Sequence, residues 1–391
     1  MKYKIPHKDT HYFSKFILDY LNKDKKIRPF VNHFPKLEDF DKQILEKKTH
    51  QIDRNVLVDV LRRQNSSLNL SKLSKGNIDL LKSNTTFSVT TGHQLCLFAG
   101  PLYFIYKIIS TLNLCKQLTV RYPTNDFVPV FWMASEDHDF KEINHIHLFG
   151  KKIEWDSQQV GPVGRMNLDG IDSVISKLRL SLGSYKHIDK LISIYEKTYL
   201  KHKNLSEATR YLINELFGEY GLLIVDGDDK ELKKQFIPQI KKDLIEKGFA
   251  LSIKECSDRL SVDYKVQAFI RDINFFKLSN GERYLINEEI IERDIEENPE
   301  EFSPNVLLRP LYQEAVLPNI AYVGGESEIA YWAQLKTSFE QEKIPFPLLV
   351  LRNSALLIDE KKRHAFEKLG FGLRDLFFSE DELYKRYILT H

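Results

Sequence analysis

Short, almost wholly apolar runs alternate along this chain with longer stretches of helical period. Phe87-Ser88-Val89-Thr90-Thr91 reads as a short buried strand, followed by Gly92-His93-Gln94 as a turn. After Gly100, Pro101 stands where a first helical residue should, with φ already set. Leu102, Ile105, Ile108, Ile109, Leu112 and Cys115 then recur at helical spacing. The run 127–134 is nearly all apolar, as in a strand covered on both faces, and leads directly into Ser135-Glu136-Asp137-His138-Asp139. Gly221-Leu222-Leu223-Ile224-Val225 ends in Asp226-Gly227-Asp228-Asp229, and Pro347-Leu348-Leu349-Val350-Leu351 ends in Arg352-Asn353-Ser354. Ala321 to Val323 predicts a further short strand. Gly324-Gly325 turns it into a helix that Glu326 and Glu328 open and that continues through Tyr331, Trp332 and Leu335. Open parallel sheets bind ligands beyond the carboxyl ends of their strands. The pattern therefore predicts an α/β protein with a Rossmann-like core and one shared polar rim.

The remaining segments divide around that core. Residues 1–85 read as a mainly helical N-terminal part, 86–154 as the first half of the core and 221–250 as a further core segment. Residues 305–375 read as its second half. The stretches 155–220 and 251–304 are charged, mixed in periodicity and without buried-strand runs, so both read as connective insertions. Ser379-x-x-Glu382 has the spacing of a capping box, which starts a helix within 376–391.

Composition narrows the class. Of 391 residues, 57 are Lys or Arg and 55 Asp or Glu, giving a net charge of +2. That balance argues against a nucleic-acid partner. The first 80 residues carry 17 bases and 10 acids, spread as a solvated helical surface would be. Glu282 to Glu301 holds nine acids and two bases, the mark of an exposed loop and not a site. An apolar content of 42% suits a large core and excludes a disordered chain. No apolar run approaches the roughly 18 residues of a membrane span, and Met1 to His7 has no secretory apolar region. Cys96, Cys115 and Cys256 are too scattered for a disulfide framework or a zinc pair. A cytoplasmic protein is expected.

Four rim segments carry chemistry. Thr91-Gly92-His93-Gln94 combines close backbone approach with an imidazole and an amide that suit a phosphate; the alternative is a His packed in a turn. Glu136, Asp137, His138 and Asp139 crowd acid and imidazole at a strand end. They would contact substrate, serve as a base or bind a metal. Alternate residues of an extended segment face opposite ways, so not all can converge. The third segment runs from Arg309 through Tyr312 to Gly324, Gly325 and Glu326. Its glycine turn suits ribose or phosphate, or is a helix cap with acids at the dipole. In the fourth, the Arg352 guanidinium suits phosphate or carboxylate, or an ion pair at the core's edge. Asn353 and Ser354 follow it.

Taken together, these blocks resemble the bacillithiol biosynthesis cysteine-adding enzymes, a family of cysteine ligases. The resemblance lies in Thr91-Gly92-His93-Gln94 with Gly100-Pro101-Leu102-Tyr103 and Ile105-Tyr106-Lys107. It continues in Val128 to Ala134 with Glu136 to Asp139, in Asn305 to Gln313, in Tyr322 to Gly325 with Glu328 to Trp332, and in Pro347 to Ser354. The family implies a core like that of class I nucleotidyltransferases. By that analogy Gly92-His93-Gln94 takes the phosphate position, Gly324-Gly325-Glu326 the ribose position, and Arg352 lies near a mobile loop. No Lys-Met-Ser-Lys-Ser stands there. Members of the family continue into an antiparallel helical coiled coil that makes a homodimer. The helix expected after Ser379 would be its opening, in a chain that stops early.

The activity so implied joins L-cysteine to the amine of glucosaminyl-malate. Amide formation from a free carboxylate is uphill, so ATP is the expected activator and no metal is expected. His93 and Gln94 would stabilise charge on the transferred phosphate. Glu326 or a neighbour would position ribose, and Asp137 or His138 would take the amine's proton. Arg309 and Arg352 would grip the malate carboxylates. A metal-assisted hydrolase or transferase built on Glu136 to Asp139, and an inactive binding module of the same fold, are the alternatives.

Overall fold

The computed structural model describes residues 3–287 and 289–390; Glu288 of the acidic block and His391, within the segment 376–391, lie outside them. Its strands are β1 (Thr86–His93), β2 (Asp126–Met133), β3 (His145–Leu148), β4 (Lys151–Glu154), β5 (Leu223–Asp226), β6 (Phe275–Ser279), β7 (Glu282–Leu285), β8 (Phe302–Pro304), β9 (Asn319–Gly324) and β10 (Leu348–Leu351). Five of them form one sheet in the order β10-β9-β1-β2-β5, and every pairing in it is parallel. Numbered along the chain, these strands run 3-2-1-4-5 across the sheet, the Rossmann order. The order reverses between β1 and β9, and that switch point is where such sheets bind ligands.

Each strand expected from the apolar runs is present. Gly92 and His93, expected as a turn, are instead the last residues of β1, paired with Trp132 and Met133. Both faces of these strands are covered, and where β1 turns Ser88 and Thr90 to one face they donate to the buried Asn319 side chain. Val128, Val130 and Trp132 of β2 join the large cluster on one side of the sheet. Phe131 and Met133, pointing the other way, join a second cluster. Each such large side chain, fully buried, contributes about 1.5–3 kcal/mol.

The segment 155–220 contributes the helices Ile171–Leu182, Ile188–Leu200 and Leu205–Phe217, whose apolar faces pack with Phe131, Met133 and Ile224. The segment 251–304 supplies β6, β7 and β8, an antiparallel sheet of order β7-β6-β8. Phe275 and Phe302 of this sheet share the large cluster with Trp132 and Tyr322. Both segments are therefore packed against the central sheet.

The helix Leu102–Arg121 crosses the sheet beside β1 and β2. Its buried face coincides only in part with the stripe read from the sequence, at Ile108, Leu112 and Cys115. Leu102 and Ile109 are exposed, whereas Lys107 and Thr111 are buried with Phe104, Ile108, Leu112, Cys115 and Leu118. Ser379 caps the last helix, Glu380–Thr390, with its Oγ, and the Glu382 carboxylate accepts from the Ser379 N–H, as the capping box requires. Among the described residues no helix is long and apolar enough to cross a membrane.

Candidate active site

At the switch point, a polar network ties the ends of β1 and β9 together. Lys107 Nζ donates to the Gly92 carbonyl at 2.6 Å and lies 2.6 Å from Glu328 Oε2. Glu328 also accepts from the Gly325 N–H at 2.7 Å and the Tyr322 hydroxyl at 2.6 Å. Burial pushes the Glu328 carboxyl up, but Lys107 and these hydrogen bonds outweigh it and hold the group below the usual carboxylate range. Burial lowers the Lys107 amine, which Glu328 only partly offsets. Lys107 carries no role in the sequence reading, and Glu328 enters it only beside Glu326, as one of the carboxylates at the helix start. The signal was a lysine on an otherwise buried helix face.

Two guanidinium groups flank this network. Arg309 Nη1 donates to Gln313 Oε1 at 3.0 Å and Nη2 to the Tyr331 hydroxyl at 3.4 Å. Arg352 lies 5.0 Å from the Tyr103 ring centre and donates to the Asn353 carbonyl at 3.0 Å and Ser354 Oγ at 3.4 Å. Its own N–H bonds the Gly324 carbonyl, and the Asn353 N–H bonds Ser110 Oγ, so the segment is fastened to β9 and to the crossing helix. Both guanidiniums lie near enough to Lys107 to lower its proton affinity. Among the described residues, neither has a carboxylate partner.

His93 packs edge-on against Phe104, with Tyr103 beside it. Its Nδ1 is 3.0 Å from the Gln94 carbonyl. A carbonyl only accepts, so Nδ1 carries the proton and Nε2 is a bare acceptor. Burial first, then Lys107 and Arg352, lower the imidazole to about 4. A neutral His93 in this tautomer has no remaining ring N–H for a phosphate, contrary to the role expected of it. Gln94 Nε2 bonds Asp137 and Glu142, each at 2.7 Å, and so reaches toward the acidic cluster.

The loop after β1 is held under strain. Phe98, Ala99 and Gly100 all have positive φ, at 56°, 66° and 54°, a region that costs side-chain-bearing residues energy. A Cβ at Gly100 would meet Cys96 Cβ at 2.5 Å, so glycine is required there. The Tyr199 hydroxyl accepts from the Phe98 N–H at 2.7 Å, and Tyr195 and Tyr199 both pack on the Phe98 ring. The segment 155–220 thereby holds the loop beside His93. Burial pushes the Cys96 thiol up to about 12, which leaves it un-ionised and not a nucleophile at neutral pH.

A second group of charges lines the ends of β2 and β5. Lys233, fully buried, lies 2.5 Å from Glu136 Oε1 and donates to the Phe302 carbonyl at 2.5 Å. Burial raises the Glu136 carboxyl, opposed by Lys233. Asp226 accepts from Ser135 Oγ and pairs with Arg210 at 3.3 Å. Arg165 grips Asp228 with two bonds of 2.8 and 2.7 Å. Asp137 Oδ1 accepts from the His138 N–H at 2.8 Å, and His138 Nδ1 meets Arg283 Nη1 at 2.7 Å. Asp139 is exposed ahead of the short helix Phe140–Ile143. Among the described residues, no three His, Cys, Asp or Glu side chains converge as metal ligands would.

Three of the expected contact residues face elsewhere. Thr91 is buried between strands, its Oγ1 donating to the Val323 carbonyl at 2.7 Å. Tyr312 is buried edge-on against Trp132, its hydroxyl donating to the Gly227 carbonyl at 2.8 Å. Glu326 turns to the N-terminal helices and accepts from the Ser14 N–H at 3.1 Å. Residues two apart on a helix point nearly opposite ways, so Glu328, not Glu326, enters the network. The Gly325 N–H, which a phosphate would use, already bonds Glu328. Two open hollows, of about 300 Å³ between Leu356 and Leu376 and about 430 Å³ between Lys23 and Asp39, are lined by none of the residues discussed above.

A parallel sheet of Rossmann order, with a network of charged and polar side chains at its switch point, defines the class as an α/β protein with a Rossmann-like core. The family described as "Bacillithiol biosynthesis BshC, N-terminal Rossmann-like domain" matches residues 1–353, and the chain belongs to that family. It is 44% identical over 397 residues to "Putative cysteine ligase BshC" of Flavobacterium johnsoniae, covering 97% of this chain and 75% of that one. The protein of the same name from Christiangramia forsetii is 44% identical over 412 residues, covering 98% and 76%. The one from Staphylococcus aureus strain NCTC 8325 is 31% identical over 351 residues, covering 81% and 64%.

Proposed function

We propose that this chain is an amide-forming ligase that joins the carboxyl group of L-cysteine to the amine of glucosaminyl-malate, forming bacillithiol. The observation that carries the reading is the pair of guanidiniums at the switch point, Arg309 and Arg352, without a carboxylate partner among the described residues. Planar forks of this kind bind carboxylates in two parallel bonds, and the malate part of the acceptor brings two carboxylates. The name "cysteine ligase" carried by the relatives supports the same reading.

ATP is the co-substrate in this scheme, because a free carboxylate and an amine do not condense in water. A cysteine carboxylate oxygen attacks a phosphorus of ATP and displaces pyrophosphate or ADP. The neutral sugar amine then attacks the acyl carbon. The C–N bond forms, the C–O bond to the phosphoryl or adenylyl group breaks, and the amine's proton passes to an acceptor. His93 suits that last role better than a phosphate contact, since its Nε2 is bare. Arg352, stacked on Tyr103, suits a phosphate or a carboxylate.

The test is product formation by the full chain with L-cysteine, glucosaminyl-malate and ATP, followed by mass spectrometry. Bacillithiol is expected with ATP and absent without it. Arg309→Met should raise KM for glucosaminyl-malate by about 10- to 100-fold, the loss of one paired charged contact. No product under any condition, together with no calorimetric binding of glucosaminyl-malate, would overturn the assignment.

A further inference from the structure

The acidic stretch between Glu282 and Glu301 reads in sequence as a solvated loop, yet one of its two bases reaches the active-site rim. Arg283 stands on β7, in the hairpin where Lys277 of β6 pairs with Tyr284 and Leu278 with Arg283. The guanidinium lies 3.9 Å from the Phe276 ring centre. Nε donates to Ser303 Oγ at 3.1 Å and Nη2 to the Pro304 carbonyl at 3.1 Å, both on β8. Nη1 is 2.7 Å from Nδ1 of His138. A guanidinium has five N–H donors and no acceptor. At that distance Nδ1 must be the unprotonated nitrogen, and the single proton of the neutral ring is on Nε2.

We propose that Arg283 is a positioning residue that locks His138 as the Nε2–H tautomer, so that His138 acts as a hydrogen-bond donor to an anionic oxygen of the substrate and not as the base. The inference deepens the ligase reading and rests on it for the substrate. The local surroundings favour the same assignment. The groups facing the imidazole are Arg283, Asp137, whose Oδ1 is 3.8 Å from Nδ1, and the Phe276 ring at 5.6 Å. Asp137 already accepts from the His138 and Gln94 N–H groups. Adding a proton to Nδ1 would set two cationic donors face to face at 2.7 Å. His138 is itself half exposed and so accessible to a ligand. His93 has the opposite arrangement, with Nδ1 protonated and Nε2 bare. The two rim histidines thus offer one donor and one acceptor.

Long-range proton–nitrogen NMR correlation on the full chain labelled at histidine nitrogen tests this, with His138 signals identified by their loss in His138→Gln. At pH 7, wild-type His138 should show a bare Nδ1 and a protonated Nε2. Arg283→Met should convert that pattern to a mixture of tautomers, and Arg283→Lys, which keeps a donor, should retain it. In the ligation assay Arg283→Met should lower kcat/KM more than tenfold, with Arg283→Lys recovering part of the loss. A protonated Nδ1 in the wild type, or an unchanged pattern in Arg283→Met, overturns the inference. If Arg283→Met does not fold, the wild-type spectrum and Arg283→Lys still decide. The spectra need no turnover, so failure of the ligase reading leaves this result separately readable.

Discussion

The inner and outer halves of the rim share a sheet edge but handle charge differently. On the outer half, at β2 and β5, three cations have their acids: Lys233 has Glu136, Arg210 has Asp226 and Arg165 has Asp228, while Arg283 on the neighbouring hairpin bonds neutral groups. On the inner half, at β1, β9 and β10, Lys107 is matched by Glu328, while among the described residues Arg309 and Arg352 bond neutral oxygens. A matched buried pair holds the fold and projects little field. An unmatched guanidinium in a partly desolvated crevice keeps its attraction for a ligand. On the proposed reading, the contrast separates residues that build the edge from residues that would receive the substrate.

Breaking an outer pair should produce the largest change in stability. Lys233→Met leaves Glu136 without its cation, and the structure should lose about 3–5 kcal/mol, measured by urea denaturation at pH 7. Wild-type stability in that variant would mean that the outer pairs do not hold the edge. The inner half should instead show its burial through pH. His93 titrates near 4 in the folded chain, below its ordinary 6.5, so the unfolded chain takes up its proton first. Its contribution is complete above about pH 6.5 and is lost as pH falls toward 4. Between pH 7 and pH 4, His93→Asn should spare up to about 3 kcal/mol of the wild-type decline. Parallel slopes in the two proteins would place His93 in water. The smallest effect belongs to Tyr312→Phe, which removes one bond to the Gly227 carbonyl. It should cost about 1–2 kcal/mol of stability and leave KM for glucosaminyl-malate unchanged. A rise in KM would return Tyr312 to the ligand side.

Much of this architecture was legible from spacing. Apolar runs beginning at Phe127, Leu222, Ala321 and Leu348, and the β-branched and aromatic run from Phe87, mark five strands of the parallel sheet, because strands covered on both faces carry few charged positions. The rim was legible for the same reason, as the polar residues that follow each run. The small sheet of β6, β7 and β8 was hidden, since its strands are short and the charged, largely exposed β7 reads as a loop. Lys107 was counted with a family motif and not with the site, because helical periodicity was followed through apolar residues alone. Glu326 and Glu328 look alike in a sequence, and only the rotation of the helix that carries them separates their partners.

Local chemistry alone therefore settled the five strands of the parallel sheet, the crossing helix, the Ser379 cap and the location of the polar edge, since each depends on residues close together in the chain. Which rim charges are neutralised, which histidine nitrogen holds the proton and which of two neighbouring acids meets Lys107 depend on groups far apart in sequence. Arg283 and His138 are separated by 145 positions. Contacts of that span exist only once the sheets have packed, because the energy of a charge or a hydrogen bond is set by the distance and the water excluded around it.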